Sequence, residues 1–272
     1  MKLSRHARQV WQSTADAAMI AAKGTPDPVQ DSISSLLPDA ATALEAMERT
    51  WPARRCRDLR GWTLRLDPGA GKRVTAATAR APGGDIAAAE SAMRAAGQTP
   101  LFMLRPDQRA LDAALDARGY RRVDPVTIHA APVAALAATD PRHRVCQCDF
   151  PLTVMAELWA AGGIGPARLA VMARAARPRC WLLARADHQP AGVAFVAAWR
   201  GLAMVHAVEV PPALRRQGHA RRLLAAAARW AQGHGAGTLA LAVTDANAPA
   251  NALYAALGMR PVARYHYRQA AE

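Results

Sequence analysis

The sequence predicts an α/β (α+β) protein: a mixed, mostly antiparallel sheet flanked by helices, built as two tandem units of which the first is partial. Three observations predict it. Short apolar, β-prone runs alternate with Ala-rich helical stretches along most of the chain. From Arg144 onward the order reads β-α-α-β-β-β-α-β-α-β. ALDARGYRRV in the first half lines up with LYAALGMRPV in the second, Gly119 falling on Gly258 at an offset of 139 residues. The same offset lays Leu101–Leu104 over Ala240–Val243, strand over strand.

The elements follow in order. Residues 1–38 hold a basic start, a weak apolar stretch broken by Asp16, and the linker-like TPDPVQDSISS; they read as a flexible extension, without a cleavage box. DAATALEAMERTW is a short helix. GWTLRL and KRVTAAT read as strands around the turn DPGAG. DIAAAESAMRAAG is a helix opened by an acid and closed by glycine, PLFML a strand, DQRALDAALDARG a further helix with a glycine stop. YRRV and PVTIHAA supply the strand or strands that close a first unit at 39–133. A second unit, 144–272, runs from RVCQCDF through two helices split by GGIG, then CWLLARA, AGVAFVAAWR, GLAMVHAVEV, a long helix, TLALAVT, PANALYAALG and PVARYHYR.

Composition bounds the function. Half the residues (51%) are hydrophobic, enough for a substantial core. The net charge of +14 comes almost wholly from arginine, since only Lys2, Lys23 and Lys72 are lysines, and the arginines are dispersed. With aromatics at 5% and little Arg–aromatic interleaving, the pattern argues against a nucleic-acid surface. Cys56, Cys146, Cys148 and Cys180 form no CxxC pair, which argues against zinc and suits a reducing cytosol. No run of about 18 apolar residues marks a membrane span.

The segment VEVPPALRRQGHARRLLAAAARW places Arg215-Arg216-Gln217-Gly218-His219-Ala220 at the mouth of a helix. A helix N-terminus leaves its first amides unpartnered and carries partial positive charge, so it suits an anion such as phosphate. Gly218 would let a ligand touch the backbone, Ala220 keeps the next inward position small, and four arginines add charge. The loop lacks the pattern of a Walker loop and two of the three glycines of a dinucleotide fingerprint. By itself it also reads as an ordinary helix start.

With its setting, the second half resembles the GNAT superfamily of N-acetyltransferases. That family's acyl-CoA loop, [QR]-x-x-G-x-[GA], is matched at Arg215–Ala220 between a strand and a helix. Its downstream N-x-x-A-x-x-L-Y-x-x-x-G-[FM] is filled by Asn247, Ala250, Leu253, Tyr254, Gly258 and Met259. The resemblance implies acetyl-CoA as co-substrate, with its pyrophosphate on the amides of residues 216–220, its pantetheine arm beside Val208 to Val210 where the sheet splays, and Asn247 near that arm. No metal is expected, on the cysteine spacing above.

The expected chemistry is transfer of an acetyl group to an amine. An ammonium of pKa about 10 cannot attack, and the leaving thiolate gains from an acid. Tyr254 stands where the family places its thiolate-protonating tyrosine; it also reads as a packing residue. For the base, strand alternation puts His206 on one face with Met204, Val208 and Val210, and Glu209 on the other. His206 lies nine residues before Arg215, a spacing similar to that of the base in serotonin N-acetyltransferase. A structural histidine is the competing reading, and Glu209 is a weaker base candidate. His219 is expected to point outward. His266 and Trp159 could line the acceptor cleft.

At the offset of the loop the first half reads Ala76-Ala77-Thr78-Ala79-Arg80-Ala81, without the glycine, so a non-binding copy is expected there. The alternative for the whole chain is a catalytically silent acyl-CoA-binding protein on the same fold. The acceptor's identity and the choice between monomer and homodimer stay open.

Overall fold

A sheet that draws on both halves of the chain organises the molecule. The computed structural model describes residues 37–138 and 145–271; the predicted extension at 1–38 lies almost wholly outside the described residues. Helix α1 (Ala40–Thr50) starts on an Asp39 cap, whose carboxylate accepts from the Thr42 amide at 2.7 Å. Strands β1 (Arg55–Leu59), β2 (Trp62–Leu66) and β3 (Thr78–Ala79) make a small antiparallel sheet. Then come α2 (Ile86–Ala95), β4 (Leu101–Leu104), α3 (Arg109–Asp116), β5 (Arg121–Pro132) and α4 (Val133–Ala137).

The second half runs β6 (Val145–Cys148), α5 (Thr153–Ala161), α6 (Pro166–Arg174), β7 (Arg179–Ala186), β8 (Gln189–Trp199), β9 (Leu202–Glu209), α7 (His219–Gly233), β10 (Thr238–Thr244), α8 (Ala248–Ala256) and β11 (Arg260–Gln269). This is the predicted order. One first-half reading is corrected, and one strand is added. KRVTAAT opens with a 3-10 turn at Lys72–Val74, entered from Gly71 at φ +97°, and reaches strand only at its last residue, in Thr78–Ala79. ARRCRDLR, with no apolar period, contains β1, which is largely exposed.

The large sheet has the order β4-β11-β5-β10-β9-β8-β7-β6. β9 and β10 are parallel, and every other neighbouring pair is antiparallel. The final strand of each half therefore lies beside the other half's preceding strand: β11 pairs with β4, and β5 with β10. The registers obey the 139-residue echo. Leu101 faces Gln269 while Ala240 faces Ala130, and Leu104 faces His266 while Val243 faces Thr127. In the centre Arg260 faces Ala130 and Gln269 faces Arg121. Adding the offset to one partner and subtracting it from the other converts each pairing into its mate. The expected boundary near residues 133–144 is thus no seam of the sheet, and Leu37–Glu272 cluster as one compact unit.

Apolar clusters cover both faces. On one, the alanine side of α7 (Ala227, Ala228 and Ala231, with Leu223 and Leu224) lets the helix lie close on β7, β8 and β9, with Leu239, Leu241 and Tyr254 completing the layer. On the other, Met47 of α1 packs with Tyr265 and Tyr267, while Met155, Trp159 and Met172 of α5 and α6 pack with Trp181 and Phe195. Each fully buried side chain of this size contributes roughly 1.5–3 kcal/mol.

The strand exchange carries a prediction. A chain of residues 145–272 alone would leave the facing edges of β10 and β11 without β5, two unpaired edges in the middle of the sheet. That fragment is expected to aggregate in size-exclusion chromatography with light scattering, whereas the full chain elutes as a defined species. A soluble, folded fragment would show that the halves are independent.

Candidate active site

The site forms where two neighbouring strands part. β9 and β10 hold their parallel register only from Leu202–Thr238 to Val205–Leu241. Beyond this β9 bulges: Ala207 has φ +51°, and the register with β8 shifts between Val193–Glu209 and Phe195–His206. The inserted residue reverses the alternation of faces. Val208 and Val210 therefore pack on the α7 side, away from His206, while Glu209 lies against Gly162 at the end of α5. This corrects the strict alternation read from the sequence. Trp159 is fully buried, not a cleft residue; its indole N–H donates to the Ala207 carbonyl at 2.8 Å and props the bulge.

After β9 a short 3-10 turn (Pro212–Leu214) leads into the Arg215–Ala220 loop. Arg216 has φ +64° and Gly218 φ +82°, both left-handed. A Cβ at Gly218 would meet nothing within 4 Å, so the glycine serves the backbone conformation and leaves open space before α7. No side chain caps α7, its first turn holds no acid, and among the described residues nothing accepts the amide hydrogens of residues 216–220. Arg215, Arg216 and Gln217 are exposed. Arg215 donates through Nε to the Val210 carbonyl at 3.0 Å and through Nη2 to Glu209 at 3.3 Å, tying the loop to the strand end. An uncapped helix start fits a diphosphate.

His219 departs from expectation. Its side chain is buried, Nδ1 lies 3.3 Å from an Arg222 nitrogen, and Nε2 has no hydrogen-bond partner. The first turn of α7 winds inward from Gly218, and so turns this ring onto the core. Asn247 is likewise engaged locally. Its Oδ1 accepts from the Ala250 amide at 3.2 Å and caps α8.

Tyr254 of α8 is nearly buried, and burial pushes its phenol up to about 12. It therefore stays a proton donor at neutral pH. Its hydroxyl has no hydrogen-bond partner among the described residues, and its ring centroid lies 6.0 Å from that of His129.

His206 is held on every side. Thr50 donates its hydroxyl proton to the Ala46 carbonyl at 2.7 Å, so at 2.8 Å it accepts from His206 Nε2–H. The tautomer follows: Nδ1 carries the lone pair and accepts from Arg73 Nη1 at 2.9 Å. The ring packs 4.9 Å from Trp51, centroid to centroid. Burial first, and the Arg73 charge second, hold its pKa well below 6.5. A lone pair already taken by a guanidinium does not collect a proton from an ammonium, so this geometry opposes the base role expected of His206. His266 is engaged too, with Asp112 at 2.9 Å.

The sequence reading missed the groups that the first half brings here. A cavity of about 310 Å³ opens at the splay, lined by Ala207 and Ala242–Thr244 of the two strands and by Trp51, Lys72, Arg73, Asp124, Tyr265 and Tyr267. Lys72 pairs with Asp124 at 2.6 Å. Among the described residues no group of three or more His, Cys, Asp or Glu could hold a metal, and no helix is long and apolar enough to cross a membrane.

The buried histidines give a pH prediction. His129, His206 and His219 all lie below the ordinary 6.5, burial being the main cause for each. Below about pH 6.5 the unfolded chain therefore binds more protons than the folded one, and stability falls as the medium is acidified. The Tm is expected to drop steadily from pH 7.5 to 5.5; a flat profile would contradict the neutral, buried state of these rings.

Comparison with known proteins agrees with this architecture. The sequence model of the Acetyltransferase (GNAT) family matches residues 149–259. A GCN5-related N-acetyltransferase from Kribbella flavida superposes with TM-score 0.64 at 21% identity, covering 86% of this chain and 96% of its own. A protein assigned to the GNAT family from Novosphingobium aromaticivorans gives 0.53 at 20%, covering 85% and 95%. A tandem GNAT protein from the clavulanic acid biosynthesis pathway gives 0.50 at 17%, covering 72% and 74%. At these identities the likeness is one of fold. No curated protein matches the sequence significantly.

Proposed function

Residues 149–259 form a GNAT-family acetyltransferase domain, and from that premise we propose that the chain transfers an acetyl group from acetyl-CoA to a primary amine by direct attack. The observation that carries this reading is the uncapped start of α7 at a left-handed Gly218, beside a parallel strand pair that splays open. The amides of residues 216–220 would receive the pyrophosphate. Val208 and Val210 would flank the arm, and Arg215 and Arg216 would add charge. Acetyl-CoA supplies the activated thioester. In the step, a C–N bond forms and the C–S bond breaks; Tyr254 gives its proton to the departing sulfur, and the amine's proton leaves to solvent.

Neither candidate base stands free. His206 holds Arg73, and Glu209 is paired with Arg215. That pattern suits a substrate whose amine is already deprotonated in the cleft, with water taking the proton. It is also the observation that favours the second reading, a silent acyl-CoA-binding protein. We read the two halves as tandem units with exchanged final strands, the first without an acyl-CoA loop. Thiol release from acetyl-CoA across a panel of amines and peptides separates the two functions: amine-dependent release supports the enzyme, and tight acetyl-CoA binding without release from any member supports the silent protein.

A further inference from the structure

The cavity at the splay has an unbalanced charge. Three cations, Lys72, Arg73 and Arg168, and one acid, Asp124, line it. Lys72 and Asp124 neutralise one another at 2.6 Å. Arg168, half-buried on α6, lies against Gly71, where a Cβ would come 3.2 Å from its Nε. Among the described residues it has no carboxylate partner, and neither has Arg73. Arg73 is fixed from both sides, its guanidinium 4.7 Å over the Trp51 ring and one nitrogen on His206 Nδ1. That second contact gives the neutral histidine a use: it positions Arg73 without cancelling its charge.

Two guanidinium groups facing a small concave site, whose one acid is already paired, are a receptor for an anion, since their planar forks match carboxylate or phosphate oxygens. They also oppose a second positive charge in the cleft. An ammonium held there is driven toward the free amine by like-charge repulsion. A cleft with this field selects against polyamines and other purely cationic acceptors.

We propose that the acceptor is a small amine that also bears an anionic group, a carboxylate or a phosphate, which pairs with Arg73 and Arg168 while the amine faces the bulge at Ala207. The proposal rests on the acetyl-transfer reading above, and its test keeps the two apart.

Acetyl-CoA binding is first measured by calorimetry on the full chain. Absence of binding would overturn the transfer reading and this inference with it. With binding present, thiol release is compared within matched pairs: phenylalanine against 2-phenylethylamine, leucine against isoamylamine, and phosphoethanolamine against ethanolamine. The acid-bearing member of at least one pair is expected to show a kcat/KM about ten- to a hundredfold higher, mostly through KM. The first two pairs and the third tell carboxylate from phosphate. Arg168→Met, a change on a half-exposed helix position, is expected to collapse that ratio toward one with the affinity for acetyl-CoA unchanged. Where turnover is too slow to read, calorimetry of the same pairs on CoA-saturated protein replaces it, with the same expected order. Equal values within every pair, or preference for the plain amine, would overturn the inference while leaving acetyl transfer standing.

Discussion

Tyr254→Phe is expected to lower kcat by about a hundredfold and to leave acetyl-CoA affinity and folding stability almost unchanged. The magnitude is that of one lost proton transfer. Burial pushes the phenol up to about 12, so at neutral pH it holds a proton that it can give to the sulfur as the C–S bond breaks. Stability should hold because the hydroxyl has no partner among the described residues, whereas the ring packs with Leu223, Leu224 and Leu241 and would be kept by phenylalanine. A residue that only packs would give the same stability result with an unchanged rate. The discriminating quantity is therefore kcat, read beside a Kd for acetyl-CoA and a Tm on the same preparation.

Gly218→Val is expected to weaken acetyl-CoA binding at least about a hundredfold, by two routes that add. The residue's φ of +82° belongs to the left-handed region, where a side chain costs roughly 1–2 kcal/mol, more when β-branched. The new side chain would also stand in the open space before the α7 amides, where nothing now lies within 4 Å of its Cβ position. Gly218→Ala brings the strain with less obstruction and should fall between. Had the glycine served only to pack the loop, Tm would fall in step with affinity. Here Tm is expected to move by a few degrees while affinity collapses, as read by calorimetry.

The second half of the fold was legible because each of its helices and strands is punctuated: glycines end helices at Gly162 and Gly258, and prolines close β9 at Pro211 and Pro212. The loop is legible as a helix start for the same local reason; its reading as an anion cradle comes from the strand before it and the motif after it, since an arginine-rich turn with one glycine also opens ordinary helices. What escaped was long-range. β1 carries charges on both faces and shows no period. β5 reads in the sequence as one strand or two because Asp124-Pro125 interrupts it; Asp124 sits at φ +44° and β5 continues through it. The exchange of β5 and β11 is invisible to a local reading, although the echo that places them was visible.

The site shows the same division. Alternation from Met204 to Val210 is a sound rule for a regular strand, and a left-handed alanine at 207 breaks it without any residue type that advertises a bulge. His206 was found by spacing, yet its chemistry is decided by Thr50 and Arg73, which lie 156 and 133 residues away in the chain. Asn247 was assigned to the arm because the family motif holds it, and its side chain is occupied with its own helix.

The measurement that bears most directly on the account is a titration of ¹⁵N-labelled protein with acetyl-CoA, following backbone amide resonances. The largest shifts are predicted at residues 216–220, saturating together with one affinity and absent in Gly218→Val. Amides of that loop that stay unmoved at saturating acetyl-CoA, with the shifts gathered elsewhere on the protein, would contradict it.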